Sequence, residues 1–245
     1  MDAFTSSAEL YEVLADTDGR LEREGPLLRE CLHKVPGRRV VDLACGTGLH
    51  ALFFAQLGAD VTALDVSADM IAHAERHRPH ARIQYDVGDM RKLHGGPWDL
   101  AVCLGNSLSL MPSAAERAQV LKRVAQSLSS GGVFLVQILN YSARSALRPR
   151  HRIERKPMGD RDVVAVKNLV PCEKRTLLTL TFFALRDEQW ESLSETAVLT
   201  HFGIEDLAAP AERVGLLAEG AYGGYDKRPF SPTESPDLVC VLRKP

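Results

Sequence analysis

The stretch Val40-Val41-Asp42-Leu43-Ala44-Cys45-Gly46-Thr47-Gly48-Leu49-His50-Ala51 runs an apolar strand into an acid and then into a glycine turn that opens a helix. Gly46 and Gly48 permit positive φ and bring backbone N–H groups close to a ligand, and the helix beginning near Thr47 aims its positive dipole end at the same point. A nucleotide-like cofactor is expected at this turn. As written, Gly46-Thr47-Gly48-Leu49-His50-Ala51 satisfies the pattern G-x-G-x-x-G/A. The turn alone therefore leaves two cofactor classes open, a pyrophosphate-bearing dinucleotide and a sulfonium nucleoside.

Outward from the turn, apolar strands near 38–43, 60–65, 82–86, 98–104 and 132–139 alternate with helices near 48–58, 68–78 and 113–129. This alternation is the pattern of a doubly wound parallel α/β sheet. Ligands of such sheets bind beyond the carboxyl ends of the strands, where Asp42, Asp65, Asp89 and Leu104 to Ser107 all fall. Two helices, Ser6 to Leu14 and Leu21 to His33, are expected to cap the cofactor. Residues 141–161 form a basic segment, after which Val163 to Val170, Thr176 to Leu185 and Leu193 to His201 alternate as an antiparallel, three-stranded lid. The tail reads as a helix, Ile204 to Val214, with strands near 216–222 and 237–243.

The acids discriminate between the cofactor classes. Asp42 would repel a pyrophosphate but suits a ligand with an ammonium and a sulfonium. Asp65 lies 17 residues beyond Gly48 and closes the strand Val61-Thr62-Ala63-Leu64-Asp65, where it can take ribose hydroxyls in either class. Asp89 ends Gln84-Tyr85-Asp86-Val87-Gly88-Asp89 and can accept from an adenine amino group, although Gly-Asp is also an ordinary turn pair.

Together these residues resemble the class I S-adenosylmethionine-dependent methyltransferases, over the chain from about Tyr11 to its end. Val102-Cys103-Leu104-Gly105-Asn106-Ser107, then Met111-Pro112 and Asn140-Tyr141, resemble the glycine/sarcosine N-methyltransferase branch. The resemblance implies a Rossmann-like seven-stranded sheet with helices on both faces and a small antiparallel β insertion after the fifth strand. Residues 1–140 would be the cap and cofactor half, 141–201 the insertion and 202–245 the completion of the sheet, within one domain. It implies S-adenosyl-L-methionine as cofactor, held by Tyr11, Arg20, Asp42, Ala44, Gly46, Gly48, Asp65, Met70, Asp89, Met90, Leu104, Asn106 and Ser107. Arg20 stands 22 residues before Asp42, the spacing at which the glycine enzymes carry a cofactor-binding Arg; Arg23 is its rival. Those enzymes also place a carboxylate-clamping Arg before the Asn-Tyr pair. Leu139 stands there instead, which predicts poor use of glycine and an acceptor that is larger or less anionic at that end, unless Arg144 or Arg148 swings in.

Composition agrees with this reading. The 245 residues are 45% apolar and 25% charged, enough for one α/β domain with an insertion. No apolar run approaches the roughly 18 residues of a membrane span, and Met1-Asp2-Ala3-Phe4 does not open a signal peptide, so a cytoplasmic location without membrane partners is expected. A net charge of −2 gives no general attraction to nucleic acid. The seven basic residues from Arg144 to Arg161, interrupted by Glu154 and Asp160 and without interleaved aromatics, read as a solvated loop. Five widely spaced cysteines read as reduced and mostly buried; Cys45 has no base beside it that would make it a nucleophile. His73, His77 and His80 lack the ligand set of a zinc site, so a solvated helix face is expected and no metal is assigned.

Methyl transfer is an in-line displacement that needs a nucleophile about 3 Å from the methyl and no obligatory acid–base pair. Asn106 and Tyr141 are candidates to orient an amine, and His201 to take its proton, against the plainer reading of His201 as a surface residue. The acceptor expected is a small molecule, with N-methylation favoured over O-methylation. An NAD-dependent oxidoreductase and a non-catalytic cofactor-binding regulator are the competing classes, and homo-oligomerisation stays open.

Overall fold

The computed structural model describes residues 8–15, 17–159, 161–186 and 189–245. Its first sheet has seven strands: β1 (Arg39–Leu43), β2 (Asp60–Asp65), β3 (Ile83–Val87), β4 (Trp98–Cys103), β5 (Leu128–Leu139), β10 (Leu217–Tyr222) and β11 (Asp237–Arg243). The order is β10-β11-β5-β4-β1-β2-β3. β1 to β5 run parallel, and β11 enters antiparallel to β5 with β10 antiparallel at its outer edge. The order reverses at β1 and β4, so the crevice lies beyond the ends of those two strands.

Both faces of the sheet are covered, and the strands are accordingly near-continuous apolar runs. Val41 and Leu43 face one core with Val120, Leu121 and Val124 of α5 (Ala114–Ser127) and Leu207 of α6 (Ile204–Arg213). Val40 faces the other core with Leu28 and Leu32 of α2 (Thr17–His33), Phe53 and Phe54 of α3 (Leu49–Gln56) and Ile71 of α4 (Ala68–His77). Period-two alternation puts Asp42 on the Val40 side, toward α2 and α3.

The insertion between β5 and α6 is a separate antiparallel sheet with four strands rather than three, in the order β6 (Arg150–Met158), β7 (Arg161–Cys172), β8 (Arg175–Arg186), β9 (Gln189–Thr200). The basic segment expected to be a solvated loop supplies β6. Its charge density and Pro157 are features of a protected edge strand, and no apolar alternation in its own residues marks it as a strand. Asp160 lies outside the described residues.

α1 (Ala8–Ala15) packs against β6 and β7 and against α4. Its Val13 and Leu14 share a core with Tyr141, Val163, Ala165, Leu180 and Phe182. Glu9 pairs with Arg161 of β7 at 2.7 Å, and Glu12 pairs with Arg78, just after α4, through two bonds of 3.0 and 2.8 Å. α1 is thereby tied to β7 on one side and to the end of α4 on the other. Ser6, expected to begin this helix, lies outside the described residues.

Candidate functional site

The glycine turn is built from left-handed backbone at Ala44 (φ 56°), Gly46 (φ 56°) and Gly48 (φ 83°). Gly48 caps α3, and a Cβ there would lie 2.7 Å from the Tyr85 hydroxyl, so glycine is needed both for the angle and for the contact. A Cβ at Gly46 would meet nothing within 4 Å; that residue borders open space, as the floor of a ligand cradle must. Asp65 ties the turn to β2: its Oδ2 accepts the Gly46 N–H at 2.8 Å and its Oδ1 the Ser67 N–H at 2.9 Å. With the Val66 backbone N–H also directed at this carboxylate, one lone pair remains for a further donor.

Against the turn lies a cavity of about 470 Å³ lined by Tyr11, Arg20, Asp42, Ala44, Gly46, Leu104 and Ser107, together with Ala15, Cys45, Thr47, Leu49, His50 and Gly105. Arg20 reaches it from α2; its Nη2 would be 3.0 Å from a Cβ on Gly105. Its Nε donates to Glu24 Oε1 at 2.9 Å, and the other Glu24 oxygen lies 2.6 Å from His50 Nε2. Burial opposes the Glu24 charge, but His50 and Arg20 hold its carboxyl below the usual range, while burial lowers His50. A neutral His50 donating from Nε2 to an ionised Glu24 satisfies both. The sequence reading missed this Arg20–Glu24–His50 chain; the four-residue spacing of Arg20 and Glu24 on one helix face was its signal. Arg23 is exposed and does not line the cavity.

Asp42 is 1% exposed, and its Oδ2 makes no hydrogen bond among the described residues. Burial raises its carboxyl to about 8, partly opposed by Arg20. A buried carboxylate oxygen without a donor is costly. A cationic ligand group in the cavity would supply the missing partner.

At the end of β4, Gly105 (φ 68°) and Asn106 (φ 70°) turn the chain back in left-handed conformation. Asn106 Oδ1 accepts from the Leu139 N–H (2.9 Å), Ser109 Oγ (2.9 Å) and Tyr141 Oη (3.0 Å). The backbone donor fixes which amide atom is oxygen. His201 stacks on Tyr141 with ring centroids 4.3 Å apart, and its Nε2 lies 2.8 Å from Thr176 Oγ1. Burial lowers His201 and raises Tyr141. Asn106, Tyr141 and His201, distant in sequence, are thus brought together, with His201 packed flat against a neighbour rather than solvated. Behind them, Gln137 Oε1 accepts the Asn106 N–H at 3.0 Å and its Nε2 donates to Asp237 at 2.8 Å.

Several residues expected at the cofactor lie outside this cavity. Met70 and Met90 are buried. The Asp89 carboxylate is held by Arg91, through its backbone N–H (2.8 Å), Nε and Nη2, and Arg91 reaches on to Glu116. Arg78, which the sequence did not single out, joins the cap to the turn by donating to Glu12 and to the Thr47 carbonyl (2.8 Å). His73 corrects the expectation of a solvated face. It is 9% exposed, 3.7 Å from Glu12 and stacked on His77, because α1 covers that side of α4. Arg144 and Arg148 are exposed, the former paired with Glu234. Cys45 is buried and its thiol is pushed well up by burial, which keeps it protonated. No helix among the described residues is long and apolar enough to cross a membrane.

The chain resembles known proteins in sequence and in fold. A methyltransferase domain family matches residues 40–132. The chain is 32% identical to a glycine/sarcosine N-methyltransferase of Halorhodospira halochloris, over 54% of this chain and 51% of that protein. It is also 32% identical to a dTDP-3-amino-3,6-dideoxy-alpha-D-glucopyranose N,N-dimethyltransferase of Streptomyces fradiae, over 53% of this chain and 52% of that protein. The matched stretch spans about half the length of each relative. In fold, the chain superposes along its whole length on 96% of a sugar N-methyltransferase from Streptoalloteichus, with a TM-score of 0.82 and 22% identity. Residues 40–132, which carry the glycine turn, thus match a methyltransferase domain family, and the chain resembles the class I S-adenosylmethionine-dependent methyltransferases, the glycine/sarcosine N-methyltransferase branch among them.

Proposed function

We propose that the chain transfers a methyl group from S-adenosylmethionine to the amine of a small molecule. The observation that carries this reading is Asp42, which lines the cavity that Arg20 enters and whose buried Oδ2 has no hydrogen-bond partner among the described residues. Arg20 beside an Asp42 carboxyl that ionises when it meets a cation fits the two charged ends of an amino acid, with Arg20 on the carboxylate and Asp42 on the ammonium. Glu24 and His50 hold the guanidinium in place, and the remaining lone pair of Asp65 suits a ribose hydroxyl. The cofactor, when bound, supplies an electrophilic methyl on its sulfonium.

The acceptor side follows from the hydrogen-bond inventory. Three donors occupy Asn106 Oδ1, so this amide oxygen positions Tyr141 instead of meeting the acceptor. Tyr141 donates its own proton to Asn106, which leaves the phenol lone pairs to accept an N–H from the acceptor and turn the amine lone pair toward the methyl. Burial between lid and sheet favours the neutral amine that transfer requires. His201 keeps the Tyr141 ring in place and, being neutral, adds no positive charge beside the sulfonium.

The relatives named for glycine, sarcosine and a dTDP-linked amino sugar all act on amines, which supports N- over O-methylation here. A coupled assay of S-adenosylhomocysteine release over a panel of amino sugars, amino acids and their hydroxyl analogues tests the reading. Turnover confined to amines is expected. Turnover confined to hydroxyls would contradict it.

A further inference from the structure

We propose that Arg150 and Lys167, on the inner face of the lid sheet, form an anion-binding subsite for the methyl acceptor; this rests on the function proposed above. Strand register decides which way they point. Val163, Ala165 and Leu169 alternate on the buried face of β7, packed with α1 and Tyr141, and Lys167 stands between Ala165 and Leu169 on that same face. Arg150 pairs with Leu169 and Arg152 with Lys167 across the β6–β7 ladder, so their side chains share it. The two cations lie diagonally next to each other, facing the site rather than solvent.

Neither has the partner that a cation in this position needs. Arg152 bonds to Glu154 at 2.6 Å. Arg150 Nε is buried and makes no hydrogen bond among the described residues, and Lys167 makes no ion pair or hydrogen bond there. Asp237, the nearby carboxylate, is bonded to Gln137 and does not pair with Arg150. Burial lowers Lys167, and Arg20, Arg152 and Arg150 lower it further, as expected of a cation among cations. Leaving positive groups half-buried and unpaired is unfavourable, and a bound anion would relieve it. Their place against Tyr141 puts that anion on the acceptor rather than on the cofactor. Leu139, packed in the lid core, leaves the nearer end apolar, so the anionic group sits further along, on an acceptor longer than glycine.

The shared chemistry is a phosphate or carboxylate group, and two probes separate them. Inorganic pyrophosphate and malonate are titrated calorimetrically into the protein saturated with S-adenosylhomocysteine, using the unmodified chain, Lys167→Met and Arg150→Gln. Binding of at least one probe is expected, weakened tenfold or more in each variant; the stronger probe identifies the group. Thermal melting of each variant shows that it remains folded, and Lys167→Arg, which keeps the charge, should retain most of the binding. No binding of either probe, or equal binding by the unmodified chain and both charge-removing variants, would overturn the subsite. Failure of S-adenosylhomocysteine itself to bind would instead overturn the reading on which it rests.

Discussion

Asp42→Asn should strengthen the fold while weakening the cofactor site. The carboxyl moves from an ordinary 3.8 to about 8 because it is buried. A raised carboxyl contributes stability that is complete below about pH 4 and is lost as pH rises toward 8, because over that window the unfolded chain releases the proton and the folded chain keeps it. At about 1.4 kcal/mol per pH unit, the loss reaches about 5 kcal/mol near pH 7.5. Asparagine removes this loss but leaves an amide N–H unsatisfied, at about 1 to 3 kcal/mol. The net gain is about 2 to 4 kcal/mol, a rise in Tm of at least about 4 °C for a chain of this size. Binding should move the other way. A ligand ammonium requires the ionised carboxylate, so affinity for S-adenosylmethionine in the unmodified chain should rise with pH between about 6 and 7.5, by up to about tenfold per unit. In Asp42→Asn it should be weaker and flat with pH. Calorimetry across that range and thermal melts at its upper end check both. A variant that melts lower at pH 7.5, or binds the cofactor with unchanged affinity and slope, would refute the assignment of Asp42 as the buried partner of a ligand cation.

Other substitutions probe separate parts of the site. Arg20→Ala should weaken cofactor binding by about 2 to 4 kcal/mol through loss of a charged hydrogen-bond donor, whereas Arg23→Ala, on the exposed face of α2, should leave it unchanged; calorimetry with S-adenosylhomocysteine reads both. Asp65→Ala removes the acceptor for the ribose and the anchor of the Gly46 N–H together, so affinity should fall by a similar amount and Tm should drop as well. Tyr141→Phe should lower kcat at least tenfold with cofactor affinity preserved, as rapid-quench turnover would show; unchanged kcat would remove Tyr141 from the reacting amine. With Leu139 in place, glycine should be a poor acceptor, and Leu139→Arg should improve it; efficient glycine turnover by the unmodified chain would mean that the lid cations already supply the clamp.

Much of this was legible in the chain. The Gly46–Gly48 turn, with acids closing β1 and β2, located the crevice, because backbone freedom and strand-end geometry are encoded locally. Arg20, singled out by its spacing from Asp42, lines the cavity. The residues that escaped notice work through contacts between distant segments. Glu24 matters because it meets His50, 26 positions away, and Arg78 because it meets Glu12 and Thr47. β6 looked like a loop because its charged residues carry no apolar alternation, and only its pairing with β7 makes it an edge strand. His73 read as solvated because nothing in α4 reveals that α1 will cover it. Asp89 was correctly put at the end of β3, but its close engagement by Arg91, two residues on, was not foreseen.

A crystal structure of the protein with S-adenosylhomocysteine tests the central claim most directly. The ligand carboxylate should lie on the Arg20 guanidinium, its ammonium within hydrogen-bond distance of Asp42 Oδ2, and its sulfur should face the Tyr141 hydroxyl. An amino-acid moiety bound elsewhere, with Asp42 Oδ2 still unpaired and Arg20 touching only Glu24, would contradict it.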